Sequence, residues 1–437
     1  MSRLKSLMQY RPIRIIVGYV GGPLLSMAIS VVIISRLTNV WEGPDPYVVY
    51  VVGNFDAPVA KDVYHGIQET ASRLDRLTID GAHLAIKSVN DHGDTTRAQT
   101  LARKLARQPD ALMIVGHFDS TSTREALPVY MQASPAIPVI LPTETSPNLL
   151  PPAERTGQYL PVFRLSPTDE RQAERAADYA IKAARSVFWV VEDTENPVYA
   201  RYLGTTFTQR VQEGGKSVVL WTPLGVPPSD TYRLLPVDCV FFVGEPRNAL
   251  IVIEQVNALW PKGRRPLIIL SDAAVDGMLL TKEDVATGDI VLLHPSDPRS
   301  FSAEGYRPYG REVIDITADL VARAGDVLQA GGGIRHGFRR LMNSRRVGDA
   351  RLAVTRVMED AVLHHQPVAD SYVFNGDGTR DGASFHVWRV LDQRFTEADA
   401  VVATAAHGAE PRSYVATDEA EMRPTPIGQE ARESTRP

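Results

Sequence analysis

Continuous apolar runs recur along this chain. Each ends at a small or polar residue and leads into a segment with helical spacing. "YVVYVVG" (47–53), "ALMIVG" (111–116) and "IPVILP" (137–142) are such runs. They carry no alternation of apolar and polar positions, so each reads as a strand covered on both faces. "APVAKDVYHGIQETASRL", "TTRAQTLARKLAR" and "STREALPVYMQA" separate them as helices, with "AHLAIKSV" as a further strand. Strand and helix alternating with short turns predict parallel βαβ units in a three-layer α/β domain.

A second series of the same kind starts near Phe163. Its strands are "SVFWVVE", "KSVVLWTP", "CVFFVG" and "PLIILSD", interleaved with "DERQAERAADYAIKAA", "YARYLGTTFTQRVQEGG", a short "DTYRLLP" and "NALIVIEQVNALW" as helices. The chain is thus expected to carry two successive doubly wound units. Two more helices follow in "GREVIDITADLVARAGDVLQ" and "GDARLAVTRVMEDAVLH", then a β-hairpin in "DSYVFNGDGTRDGASFHVWRV" with Gly-Asp-Gly as its turn. From about 406 to 437 the sequence is polar and Pro-rich, the composition of a disordered tail.

The N-terminus has a different character. Arg3, Lys5, Arg11 and Arg14 precede the uncharged run Ile15–Ile34, with Arg36 beyond it. At about 1.5 Å per residue the run is long enough to cross a hydrocarbon core of about 30 Å. The basic flank holds the N-terminus in the cytoplasm. A cleavable signal peptide is the rival reading, but the run is long for one and no A-x-A site closes it. A single-pass anchor in the cell membrane with an extracytoplasmic domain is the expectation; with cleavage, the rest is exported all the same.

Bulk numbers exclude little else. The 437 residues carry a net charge of −5 with no global basic field, so no nucleic-acid partner is expected. One cysteine, Cys239, allows neither an internal disulfide nor a Cys-based zinc site. The adjacent His364 and His365 cannot both face one metal from a helix. "NGDGTRDGASFH" lacks the Glu that a calcium loop needs at its twelfth position, where His386 stands. "AGGGIRHGF" lacks the G-K-[ST] of a phosphate loop, and no nucleophile elbow or zinc-protease motif is present. No cofactor, no metal and no catalytic set are expected.

In open α/β sheets ligands gather where strands end and helices begin. At the first such exit, "GHFDSTSTRE", Ser120 and Thr121 can cap the helix or, with its free N–H groups, receive a carboxylate. At the next, "ILPTETSPNL", Thr143, Thr145 and Ser146 repeat the chemistry. In the second unit Asp272, after "LIILS", can cap its own turn or hold an ammonium group. Tyr199, heading a helix, can pack or close over a ligand.

At this point the pattern resembles a known family. "IVGHFDSTSTREALPVY", "PVILPTETSP", "VFRLSPTDERQAERAADYA", "YLGTTFTQRVQEGG", "CVFFVGEPRNALIVIEQV" and "FNGDGTRDGASFHVWRV", in that order, are similar to the Leu/Ile/Val-binding receptors of branched-chain amino acid ABC importers. These are type I periplasmic binding proteins. The resemblance implies two doubly wound parallel-sheet lobes joined by three crossovers, near Pro161–Leu165, Leu293–Arg299 and Gln366–Asp370. Residues 46–163 with 297–367 would form lobe 1, and 164–296 with 368–405 lobe 2, after a flank, anchor and linker in 1–45.

The resemblance also implies that Ser120 and Thr145 bind an α-carboxylate, with Thr121 and Thr143 as neighbours. Asp272 and main-chain carbonyls near Glu144 would hold the α-ammonium, and Tyr199 would cover the ligand. Three positions depart from the pattern. Glu144 stands where the family often has a small residue, Glu245 where it often has an aromatic, and Asp119 where a disulfide cysteine can occur. Pointing inward, two extra acids suit a cationic or amide-bearing ligand better than leucine; loop side chains can also point outward. The implied partners are an amino acid or amide-like ligand and an ABC permease. A tether without a lipid-bearing cysteine fits a membrane sensor as well. A ligand-less envelope protein is the third reading, and it requires that Ser120, Thr145 and Asp272 do not converge.

Overall fold

The computed structural model describes residues 45–398, apart from 151–158, 227–233, 262, 283–284, 286–288, 296–304, 331–345 and 392–393. The expected anchor Ile15–Ile34 and the polar tail 406–437 lie outside the described residues. Among those described, no helix is long and apolar enough to cross a membrane.

Two sheets carry the fold. The first takes β1 (Tyr47–Gly53), β2 (Thr78–Ile79), β3 (Ala82–Asn90), β4 (Ala111–Gly116), β5 (Val139–Leu141) and β6 (Val162–Arg164), in the order β2-β3-β1-β4-β5-β6. All its pairings are parallel except β2 with β3. The second takes β7 (Val187–Glu192), β8 (Ser217–Pro223), β9 (Cys239–Val243), β10 (Leu267–Leu270), β11 (Ile290–His294), β12 (His386–Leu391) and β13 (Arg394–Glu397), in the order β13-β12-β11-β10-β9-β7-β8. Only the β11–β12 and β12–β13 pairings are antiparallel.

The unbroken apolar runs have the cause expected of them. Along β1, Tyr47, Val49 and Val51 join one core while Val48, Tyr50 and Val52 join another on the opposite face. Helix α1 (Pro58–Thr70) covers the first face, together with α7 (Arg307–Ala330) and α8 (Arg346–Leu363), and α2 (Thr95–Ala106) and α3 (Ser120–Met131) cover the second. The second sheet repeats this. Phe188, Val190 and Phe241 face α4 (Asp169–Lys182) and α5 (Pro197–Glu213), whereas Trp189, Val191 and Phe242 face α6 (Pro246–Leu259). Each fully buried aliphatic or Phe side chain stabilises the fold by roughly 1.5–3 kcal/mol over leaving it in water.

The late part of the chain differs from expectation in two ways. The expected Gly-Asp-Gly turn forms, with an antiparallel bridge between Phe374 and Arg380, but the longer hairpin of the sheet is β12–β13, further along the chain. The turn at Asn375–Thr379 is seated on the first lobe, where Gly378 C=O accepts from Arg164 N–H at 2.9 Å and Phe374 stacks on Phe163 at 3.8 Å between ring centres. Val368 and Phe374 belong to the first-lobe core, so the third passage between lobes falls after Thr379 and not at Gln366–Asp370. The aromatic stack and the backbone bonds to Arg164 hold this stretch down, and no local pattern announces that.

One close contact positions the site. α1 and α7 touch backbone to backbone: a Cβ at Gly66 would meet the Arg307 carbonyl oxygen at 2.0 Å, and one at Gly310 that of Val63 at 2.0 Å. Tyr306, just before α7, is thereby pinned in the first-lobe core with its hydroxyl toward the second lobe.

Candidate functional site

The strand exits of the two lobes face one another across a cavity of about 240 Å³. From the first lobe come the turn after β1 (Asn54–Ala60), Asp119 to Thr121 after β4, and Thr143 and Thr145 after β5. From the second come Glu195, Asn196 and Tyr199 after β7, Glu245 to Arg247 after β9, and Asp272 and Ala273 after β10. Of the eight residues expected from the sequence, Ser120, Thr121, Thr143, Thr145, Tyr199, Glu245 and Asp272 line it.

Glu144 does not. Its carboxyl turns into the first lobe, accepting from Thr123 Oγ1 and the Thr143 N–H, both at 3.0 Å. Burial pushes its pKa well above the usual carboxylate range, with those donors pulling weakly the other way. Glu144 therefore braces the β5 exit and adds no charge to the cavity wall. Thr143 is held by the same brace, since its hydroxyl donates to the Phe118 carbonyl at 3.0 Å.

The capping question at the β4 exit has a definite answer. Asp119 is the N-cap of α3, its Oδ1 accepting from Ser122 N–H at 2.7 Å. An acid there also meets the positive end of the helix. Ser120 is released from capping. Thr121 reaches across the cavity and donates to Asn196 Oδ1 at 2.6 Å. Thr145 meets the second lobe through its carbonyl, which accepts from Asp169 N–H at 2.9 Å at the head of α4. Asp169 is itself fully buried, and burial raises its pKa well above the usual range.

Asp272 is the most heavily coordinated group. Its carboxyl accepts from Tyr199 OH at 2.5 Å, Tyr306 OH at 2.6 Å and Gln172 Nε2 at 2.8 Å. Burial raises its pKa, and these donors, which favour the ionised form, oppose that. Tyr306 comes from the first-lobe core, so the Tyr306–Asp272 bond joins the lobes just as Thr121–Asn196 does. Glu245 contrasts with Asp272. Its N–H donates to Asp193 Oδ2 at 2.9 Å, but its own carboxyl receives no hydrogen bond among the described residues. Burial first, then the charges of Asp193, Glu195, Asp119 and Asp272, push it up to about 8.

The sequence reading missed Asn196, Tyr306 and Gln172. Asn196 had a signal, standing before Pro197 at a strand exit. Tyr306 and Gln172 reach Asp272 only through tertiary packing. Among the described residues no group of three or more His, Cys, Asp or Glu side chains is placed to hold a metal ion. Hydroxyls and the start of α3 on the first-lobe wall thus face Tyr199, Glu245 and Asp272 on the second, with Asp56 and Asp119 adding carboxyls to the first.

Two α/β lobes with facing strand exits define a clamp-type binding fold. Comparisons with known proteins place it more closely. Residues 47–231 match the family model described as periplasmic binding protein. An "Amino acid binding protein" of Pseudomonas aeruginosa is 27% identical over 278 residues, which cover 58% of this chain and 70% of the relative. Among solved structures, the leucine binding protein LivK of Thermotoga maritima aligns with a TM-score of 0.64 at 16% identity, covering 81% of this chain and 98% of that one. LivJ of Streptococcus pneumoniae, solved with isoleucine, aligns with a TM-score of 0.59 at 13% identity, covering 81% and 99%. The resemblance read from the sequence holds at the level of fold, which these solved amino acid binding proteins share, and residues 47–231 carry the match to the periplasmic binding protein model.

Proposed function

We propose that this chain is an extracytoplasmic substrate-binding protein that closes its two lobes on an amino acid or amide-like molecule and presents the closed form to an ABC importer. The observation that carries the reading is the convergence of hydroxyls from one lobe and Asp272 with Tyr199 from the other on a single cavity. Ser120 and Thr145, with first-turn N–H groups of α3, receive the α-carboxylate. Asp272 receives the α-ammonium, a charged donor that outcompetes a phenol for a buried carboxylate. Tyr199 closes over the ligand. The relatives named for amino acids, leucine and isoleucine support this choice of ligand class. The run Ile15–Ile34 serves as the tether, and the stretches 46–163 and 297–367 against 164–296 and 368–405, with the last boundary moved past Thr379, act as the two jaws. Closure stabilised by a ligand that touches both jaws is population shift, with no covalent chemistry.

Isothermal titration of the full-length chain with the common amino acids tests the reading. Binding of at least one, weakened about 100-fold in Asp272→Asn, is expected, because unpairing a buried charge costs about 2–5 kcal/mol. Undiminished binding in that variant would sink the assignment of Asp272.

A further inference from the structure

Five carboxyls line the cavity: Asp56, Asp119, Glu195, Glu245 and Asp272. A zwitterionic head needs one. Four of the five are already engaged by donors of the protein. Asp56 accepts from His92 and Asn90, Asp119 caps α3, Glu195 accepts from Asn248, and Asp272 holds two tyrosines and Gln172. Glu245 is the exception among the described residues. The exposed Arg247 at the cavity rim forms no ion pair with it.

The position of Glu245 follows from sheet order. β9 lies directly beside β10, so the turn bearing Glu245 is next to the turn bearing Asp272, on the side leading toward β7. In the first lobe, β1 lies beside β4 on the side away from β5, so the β1 exit is where a ligand extends after leaving the Ser120–Thr145 end. A ligand with its head between Thr145 and Asp272 therefore runs its other end past Glu245. An aliphatic end there would strip water from a carboxyl and give no hydrogen bond or charge back.

Resting on the function proposed above, we propose that the ligand bears a second cationic group distal to its amino-acid head, seated on the Glu245 carboxylate: a basic amino acid of the lysine or arginine class, not an aliphatic one. The groups facing Glu245 are consistent with this. They are Asp193 and Glu195 from the β7 turn, Asp272 from the β10 turn, Asp119 and Asp56 from the first lobe, and Arg247 two residues on, in the helix that Glu245 precedes. Five acids and one exposed arginine leave a local excess of negative charge. In the unliganded site burial and these acids hold Glu245 partly protonated up to about pH 8. A cation must displace that proton, so its affinity rises with pH up to that point. A neutral amide or an aliphatic side chain has no such dependence.

Titration of the full-length chain with L-lysine, L-arginine, L-glutamine and L-leucine at pH 6, 7 and 8 tests this, with the heat measured in two buffers to count protons. The expected result is that lysine or arginine binds at least tenfold tighter than leucine and glutamine at pH 8. That affinity should rise by up to tenfold per pH unit from 6 to 8, with proton release on binding. In Glu245→Gln the preference and the pH slope should both disappear. Leucine or glutamine as the best ligand at every pH would overturn the second-cation proposal while leaving the amino-acid receptor standing. A basic ligand whose preference survives in Glu245→Gln would also overturn it. No binding of any amino acid by a protein that still melts cooperatively would overturn both.

Discussion

At the scale of single residues, two partly or wholly buried carboxyls share a direction. Glu245 is pushed up to about 8, and Asp62, half-buried against the start of α7, to about 6, in each case by burial first. A carboxyl whose folded pKa lies above its unfolded value binds its proton more tightly in the folded state. Between the two values the folded chain holds more protons than the unfolded one, so stability falls as pH rises through that window. The unliganded protein should therefore melt at progressively lower temperature from about pH 5 to pH 8. Glu245→Gln should flatten the upper part of that decline. A melting temperature that climbs over the range, followed by calorimetry, would show the acids to be solvated. Asp119 makes a second residue-scale case. Asp119→Ala removes the cap of α3 and should cost about 0.5–2 kcal/mol in chemical denaturation. Ser120→Ala should leave stability nearly unchanged, because Asp119 and not Ser120 does the capping.

At the scale of elements, the contact between α1 and α7 is where opposing effects can be weighed. Gly310 sits inside a helix, where alanine is intrinsically better by roughly 0.5–1 kcal/mol. Its Cβ would meet the Val63 carbonyl at 2.0 Å, however, and backbone cannot yield as a side-chain tip can. Overpacking of that kind costs about 1–3 kcal/mol, so Gly310→Ala should destabilise the protein in denaturant titration. It should also displace Tyr306 from Asp272 and weaken ligand binding. Element order and burial were readable from the sequence because β1, β4, β7, β9 and β10 are covered on both faces and show unbroken apolar runs. The Gly-Asp-Gly turn was readable, but where it sits was not. Its place on the first lobe depends on Phe163 and Arg164, far away in the chain. The inward turn of Glu144 was likewise hidden, because it depends on Thr123 from a neighbouring strand exit.

At the scale of the whole molecule, two side-chain hydrogen bonds, Thr121 to Asn196 and Tyr306 to Asp272, tie the lobes across the cavity, beside the backbone bond from Asp169 N–H to the Thr145 carbonyl. Most lining residues were legible because strand exits are a general place for ligands and hydroxyls there stand out. Tyr306 was not, since its role exists only once the lobes face each other. The bonds hold the jaws together before any ligand contributes. Breaking one should shift the open–closed balance toward open and reduce apparent affinity by the fraction of closed form lost. Thr121→Ala should thus weaken ligand binding several-fold, mainly through faster dissociation, with a larger radius of gyration in solution scattering. The same affinity and radius as the parent would mean that these bonds do not set the balance.

The most direct test of the account is a calorimetric titration of the intact chain with lysine, arginine, glutamine and leucine, run beside Asp272→Asn. Tight one-to-one binding of an amino acid that is lost in the variant is the predicted result. A cooperatively folded protein that binds none of them would contradict the account, and the convergence of Ser120, Thr145 and Asp272 would then be a matter of packing alone.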